Sequence, residues 1–252
     1  MRVPPFHWWR TVLFLFPAIA IYTIVLGVLS LLSTIVDRRG YAAHWCARTW
    51  SRLILLTTGV TVDVTGLGQL DPRGTYVFVA NHQSIYDIPV LFWSLDFELR
   101  ILAKASLGSF PFLGWHLART GHVLVDRKNP GADLFRQVRG LMQAGYSLFV
   151  FPEGTRSVDG SLARFRAGTF MMAIEAGLPV VPVAVDGSRF VMPKGQLTTS
   201  PGHVRVRVLD PIATAGRRPE EARAFARQVQ DAIAGALGAN PNPGPKSEAV
   251  SA

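Results

Sequence analysis

Cysteine is almost missing from this chain: Cys46 is the only one in 252 residues. A single cysteine excludes an intrachain disulfide and a cysteine-rich zinc site, and it reads as a small buried or membrane-facing residue. Charge is also scarce, at 17% of residues against 49% hydrophobic, with a mean hydropathy of +0.25. Acidic groups are the scarcer sign: 17 Asp and Glu face 26 Lys and Arg, a net charge of +9. Basic chains bind nucleic acid or anionic membranes. The apolar excess favours the membrane and argues against a nucleic-acid partner. The length allows one domain with a full core plus appendages.

Charge is absent altogether from residues 11–36, a run of 26 apolar and small residues. As a helix it would reach about 39 Å, enough to cross a bilayer with tilt. It is too long for a signal peptide, and no small-residue cleavage site follows. Arg2 and Arg10 precede it, while Arg38, Arg39, Arg48 and Arg52 follow. That excess favours a cytoplasmic main domain, as on a bacterial inner membrane. Pro17 and Gly27 also allow a bend, with residues 41–57 returning along the surface. Trp45 and Trp50 beside Arg48 and Arg52 suit the headgroup region. A spanning helix and a one-leaflet hairpin both remain open, so residues 1–58 are expected to form a membrane helix or a two-helix anchor.

Residues 59–238 read as an α/β domain with a mostly parallel central sheet flanked by helices. Strand-like runs recur at 60–64, 75–80, 99–103, 123–125, 147–151, 180–185 and 203–209, with helical stretches between several of them. The last run alternates Val204, Val206 and Val208 with Arg205 and Arg207, as on a half-buried strand near an edge. A final helix opens at Pro219, carries Phe225, Val229 and Ile233 on one face, and is expected to end before Gly238. The tail 239–252 has no apolar period and reads as disordered.

The chemistry gathers where these strands end, the edge at which α/β sheets bind ligands. After strand 75–80 come Asn81, His82, Gln83, Ser84, Ile85, Tyr86 and Asp87. A turn between His82 and Asp87 can bring imidazole and carboxylate together, the minimum for taking a proton from an alcohol. No Ser or Cys nucleophile stands out beside them. Lys104, Arg127 and the segment Phe151 to Ser157, with Glu153, Gly154, Thr155 and Arg156, also follow apolar strands. Converging there, the cations would make an anion pocket, with Arg able to grip phosphate by a fork and Gly154 admitting the backbone close to a ligand. Singly, each has a plain alternative: a solvated cation, a turn, or a local ion pair for Glu153. His7, His44, His116, His122 and His203 lack a carboxylate in a comparable position and read as interfacial or structural.

Taken together, these segments resemble the membrane-bound glycerolipid acyltransferase family, particularly its bacterial 1-acyl-sn-glycerol-3-phosphate acyltransferases. The N-H-x-S-x-x-D motif stands as Asn81, His82, Ser84 and Asp87. The second is Lys104, Pro111, Gly114, Gly121 and Arg127, the third is complete from Phe151 to Ser157, and the fourth is Val181, Pro182 and Val183. The resemblance covers residues 48–209. It implies transfer of a fatty acyl group from acyl-CoA or acyl-carrier protein, as co-substrate, to the sn-2 hydroxyl of lysophosphatidic acid, giving phosphatidic acid. His82 would be the base and Asp87 its orienting partner. Lys104, Arg127 and Arg156 would hold the phosphate, with Glu153, Gly154 and Thr155 shaping that pocket and Pro182 bordering the acyl chain. Amides from Asn81 to Ser84 are expected to stabilise the oxyanion. No metal or redox cofactor is implied. Another lyso-lipid acceptor, a thioester hydrolase and a non-catalytic lipid-binding module are the competing readings.

Overall fold

The computed structural model describes residues 6–37, 39–109, 113–125 and 132–239. Along the chain lie α1 (Phe6–Arg10), α2 (Phe16–Ser33), α3 (Tyr41–Thr58), β1 (Val60–Thr65), β2 (Val77–Ala80) and α4 (Asp87–Ser94). Then follow β3 (Leu99–Lys104), α5 (Leu113–Arg119), β4 (Val123–Val125), α6 (Ala132–Gln143), β5 (Ser147–Val150) and α7 (Ala167–Ala176). The chain continues through β6 (Val180–Asp186), α8 (Ser188–Val191), β7 (Gly202–Val208) and α9 (Ala222–Ala239).

The strands form a seven-stranded sheet in the order β1-β7-β6-β2-β5-β3-β4. Every pairing is parallel except β6 with β7. The central strands, Val-Phe-Val-Ala and Ser-Leu-Phe-Val, are buried on both faces, as continuous apolar runs in parallel sheets are. Their alternation divides the core. Phe78 and Ala80 pack with α3 and α4 on one side, whereas Val77 and Val79 pack with α7 and α9 on the other. The expected α/β architecture is therefore present. β7 lies near an edge as expected, second in the sheet with β1 outside it. Both look half-buried because the same sheet end leaves alternate side chains less covered. The final helix also continues through Gly238, because tertiary packing of Phe225, Val229 and Ile233, each fully buried, outweighs one glycine. The tail from 240 onward lies outside the described residues.

The N-terminal helices form an antiparallel hairpin whose two ends are both tied to the α/β domain. Between α1 and α2 one turn, Thr11–Leu15, is π-helical, and Thr11 Oγ1 in it accepts a hydrogen bond from Thr199 N–H at 3.1 Å. Arg10 donates to the carbonyls of Thr58 and Thr199. At the far end, Asp37 Oδ1 accepts the N–H groups of Arg39 and Gly40 while its Oδ2 accepts that of Ala42, shaping the turn into α3. Arg100, only 2% exposed, then holds that turn. It donates to the carbonyls of Arg39 (3.1 Å) and Gly40 (3.4 Å), lies 4.3 Å over the Tyr146 ring, and reaches Leu99 O and Glu98. Tyr146 Oη donates to Arg39 O at 2.7 Å. A helix fastened at both ends to one domain runs alongside that domain. α2 and α3 pack on each other as a hairpin, and α2 lies within the one apolar helical stretch, Trp8–Ser33, that is long enough to cross a membrane among the described residues. The hairpin's outer face leaves Leu13, Phe14, Ile21, Ile24, Leu32, Trp45 and Leu56 exposed.

Replacing Arg100 with leucine should free the turn. Its charge-assisted bonds are worth about 1.5–3 kcal/mol each before compensation, so a clear fall in Tm is expected in detergent. Trypsin should also cut faster after Arg39; an unchanged digestion rate would refute the clamp.

Candidate active site

His82 sits one residue beyond Asn81 at the C-terminal end of β2, between β5 and β6. Asn81 behaves as a piece of backbone: its Nδ2 donates to Val185 O and its Oδ1 accepts Val185 N–H, both at 2.8 Å. That clamp sets the direction in which the chain leaves the sheet. Ser84 Oγ then donates to Met192 O at 2.8 Å, fastening the loop to the segment after α8. Buried and donating to a carbonyl, Ser84 is a structural hydroxyl.

Asp87 opens α4 and is fully buried. Its Oδ2 accepts three hydrogen bonds, from His82 Nδ1 (2.8 Å), Gln83 N–H (2.7 Å) and Ser84 N–H (2.9 Å). A carboxylate oxygen can only accept, so the imidazole proton is assigned to Nδ1 and Nε2 keeps its lone pair. The ring is stacked on Phe151, with centroids 3.9 Å apart and planes 10° from parallel. With 15% of its side chain exposed, His82 can still meet a substrate hydroxyl. The turn thus converts a sequence spacing of five into an oriented imidazole–carboxylate pair.

The third motif is built against the first because β5 neighbours β2. Glu153 Oε1 accepts His82 N–H at 2.7 Å and Oε2 accepts Ala163 N–H at 3.1 Å. Ser157 N–H donates to His82 O at 2.8 Å. Burial pushes the Glu153 carboxyl above the ordinary glutamate range, against the lowering effect of those two amides. Glu153 therefore locks two motifs together, where the sequence also allowed a local arginine pair. Gly154 needs its positive φ of 75°, and a Cβ there would come within 2.7 Å of the Arg166 guanidinium.

The expected oxyanion donors meet a correction. The N–H groups of His82, Gln83 and Ser84 are all bound to carboxylates. Those three hold the His82–Asp87 loop in shape and are not available to a developing oxyanion.

Of the three expected phosphate ligands, Arg156 is half-buried and its guanidinium has no partner among the described residues. Lys104 ends β3 beside β5, where only its backbone is described, and Arg127 and Pro111 lie outside the described residues. Lys194 was not singled out from the sequence, yet its Nζ donates to Arg156 O (2.7 Å) and Thr155 Oγ1 (3.1 Å). It comes from the segment after α8, with no motif to mark it. Pro182 is central in β6, paired with Val79. His203, read as interfacial or structural, pairs across the strands on the surface: its Nε2 is 3.0 Å from Asp63 Oδ2.

A cavity of about 680 Å³ lies between the hairpin and the sheet. Leu26, Gly27, Leu31, Trp50, Phe92 and Ile101 form much of its apolar wall, and Cys46, His116 and His122 also line it. Pro182 is not among the lining residues. Phe92 and Asp87 share α4, about 7–8 Å apart along its axis.

Burial, with Arg100, His116 and His44 nearby, holds the His122 imidazole well below the ordinary histidine value of 6.5. The unfolded chain thus takes up a proton that the folded ring refuses. This contribution to stability is complete above pH 6.5 and is lost as pH falls below it. Glu153 acts the other way: with its carboxyl raised, its stabilising contribution is present below the ordinary value of 4.5 and is lost as pH rises from there through its raised value. Comparing His122→Asn with wild type separates the two. Between about pH 7 and about pH 5.5, wild-type Tm should lose the additional amount; parallel curves would refute the assignment.

A His–Asp pair at the strand ends, locked to a second motif in an α/β fold that also holds an apolar cavity, is the arrangement expected of an acyl-transfer site. Residues 61–186 match the Acyltransferase family model, and the chain belongs to that family. It is 33% identical over 216 residues to a yeast (Saccharomyces cerevisiae) 1-acyl-sn-glycerol-3-phosphate acyltransferase, covering 83% of this chain and 71% of that one. The mouse (Mus musculus) 1-acyl-sn-glycerol-3-phosphate acyltransferase alpha is 33% identical over 193 residues, 72% and 67% of the two chains. A chloroplastic relative from Brassica napus is 36% identical over 173 residues, and the chain spans about half of its length (50%). The crystal structure of PlsC, an LPA acyltransferase from Thermotoga maritima, superposes with a TM-score of 0.74 at 25% identity, over 92% of this chain and 98% of that one.

Proposed function

We propose that this chain moves a fatty acyl group from acyl-CoA or acyl-carrier protein to the sn-2 hydroxyl of 1-acyl-glycerol-3-phosphate, forming phosphatidic acid. The observation that carries this reading is the His82–Asp87 pair, 2.8 Å apart with Nε2 unpartnered among the described residues, in a chain whose relatives bear that activity in their names. His82 Nε2 removes the proton from the acceptor hydroxyl as its oxygen attacks the thioester carbonyl. The tetrahedral adduct collapses, the C–S bond breaks, and the thiolate takes the proton back from His82. Such a base is typically worth about 10²–10⁴ in rate. Arg156, Lys104 and Arg127 hold the acceptor phosphate, and Lys194 steadies the turn that carries Arg156. The cavity seats the acyl chain; its volume of about 680 Å³ lies in the range usual for ligand sites.

The exposed apolar face of the hairpin is immersed in one leaflet. A continuous apolar surface of this kind marks a membrane contact, and the basic residues beside it favour anionic lipid. The acceptor then enters sideways from the membrane, with the catalytic domain on the cytoplasmic face of a bacterial inner membrane. The test uses membranes carrying the protein, labelled acyl-CoA or acyl-carrier protein, and a panel of lyso-lipids. Phosphatidic acid formed from lysophosphatidic acid is the expected product. Preference for an acceptor without phosphate would overturn the phosphate pocket, and release of free fatty acid without acceptor would overturn transfer in favour of hydrolysis.

A further inference from the structure

The cavity is apolar along its hairpin wall but not where α5 and the loop before β4 close it. There, His122 Nδ1 accepts the backbone N–H of Ile101 at 3.1 Å. The proton of this imidazole is therefore on Nε2. The ring is half-buried and lines the cavity, and its Nε2–H has no protein partner among the described residues. Beside it, Ser30 Oγ and His116 Nδ1 are 3.2 Å apart, and the two histidine rings are 5.9 Å apart. This makes a small polar patch on a surface otherwise suited to hydrocarbon. A chain filling the cavity would cover this donor, and a covered donor left unmet is costly, so the site is complementary to an acceptor brought by its occupant. A plain hydrocarbon chain brings none.

We propose that this cavity selects an acyl chain carrying an in-chain oxygen, a hydroxyl or an oxo group, hydrogen-bonded by His122 Nε2–H. The inference rests on acyl transfer for the identity of the occupant, but its selectivity can be measured without turnover. An oxygen at the right depth meets the N–H donor, and a hydroxyl there can also donate to Ser30 Oγ. Because the imidazole is fixed by its bond to Ile101, selection depends on the oxygen's position along the chain.

Calorimetric titration of the full chain in detergent tests this, using a free saturated fatty acid, its in-chain hydroxy isomers and the matching oxo acids. At one or two adjacent positions the oxygenated acid should bind about three- to tenfold more tightly than the plain acid, the yield of one buried hydrogen bond. The advantage should vanish in His122→Asn, whose amide oxygen can still accept Ile101 N–H but whose shorter side chain cannot reach the cavity. For hydroxy acids it should shrink in Ser30→Ala. Equal binding of plain and oxygenated acids at every position by wild type would overturn the proposal, the donor then being served by water. So would an advantage that survives His122→Asn. A binding preference without acyl transfer to any lyso-lipid would instead sink the transferase reading and leave this selectivity standing.

Discussion

Replacing His82 with alanine should lower acyl transfer by about 10²–10⁴, the usual contribution of a positioned general base. The loss should appear in kcat, with KM for the lyso-lipid nearly unchanged, because no phosphate-binding group is touched. Its backbone bonds to Glu153 and Ser157 survive the substitution, so the two motifs stay joined. The stacking contact with Phe151 is lost, but that ring remains packed against Phe149. Thermal unfolding should therefore move by only a few degrees, about what a ΔΔG near 1 kcal/mol produces. Product formation at the wild-type rate would remove His82 from the chemistry. A kinetic loss matched by a collapse in Tm would mean that its role is structural.

The His82–Asp87 contact was legible in the sequence because its parts lie within one turn, and a spacing of five residues with no intervening strand limits where a side chain can go. Fold class was legible for a related reason: β2, β5 and β6 are buried on both faces, so their composition is continuously apolar. Contacts between distant segments were not. Glu153 could have paired with a nearby arginine, and only the adjacency of β2 and β5 turns it toward His82 N–H. Lys194 reaches Arg156 across a gap of 38 positions, and His203 meets Asp63 only because β1 and β7 pair. For three of its four amides the oxyanion expectation failed on accounting. Each backbone N–H can satisfy one strong acceptor, and the carboxylates of Asp87 and Glu153 had taken those of His82, Gln83 and Ser84. The hairpin shows a further limit. Length and hydropathy mark an apolar helix, whereas the bonds of Arg10 and Arg100 that fasten its ends have partners in other parts of the chain.

Changing Asp87 to asparagine should cost about 10²–10³ in kcat, within the range of the base it serves. Oδ2 of Asp87 receives three N–H donors, and an asparagine has one acceptor oxygen with which to replace it. With that oxygen in the same place, all three bonds persist and the loop keeps its shape. The negative charge is gone, however, and the imidazolium formed as His82 takes the hydroxyl proton loses its partner 2.8 Å away. With the amide turned the other way, its NH₂ faces the N–H groups of Gln83 and Ser84, and the loop must open. The first outcome lowers kcat with Tm almost unchanged; the second lowers both. The double variant separates a working pair from two independent contributors. If Asp87 acts only through His82, Asp87→Asn combined with His82→Ala should be no slower than His82→Ala alone, since residues acting as a unit are strongly non-additive. Multiplied losses would give Asp87 a role of its own in ordering the Gln83–Ser84 loop against the substrate.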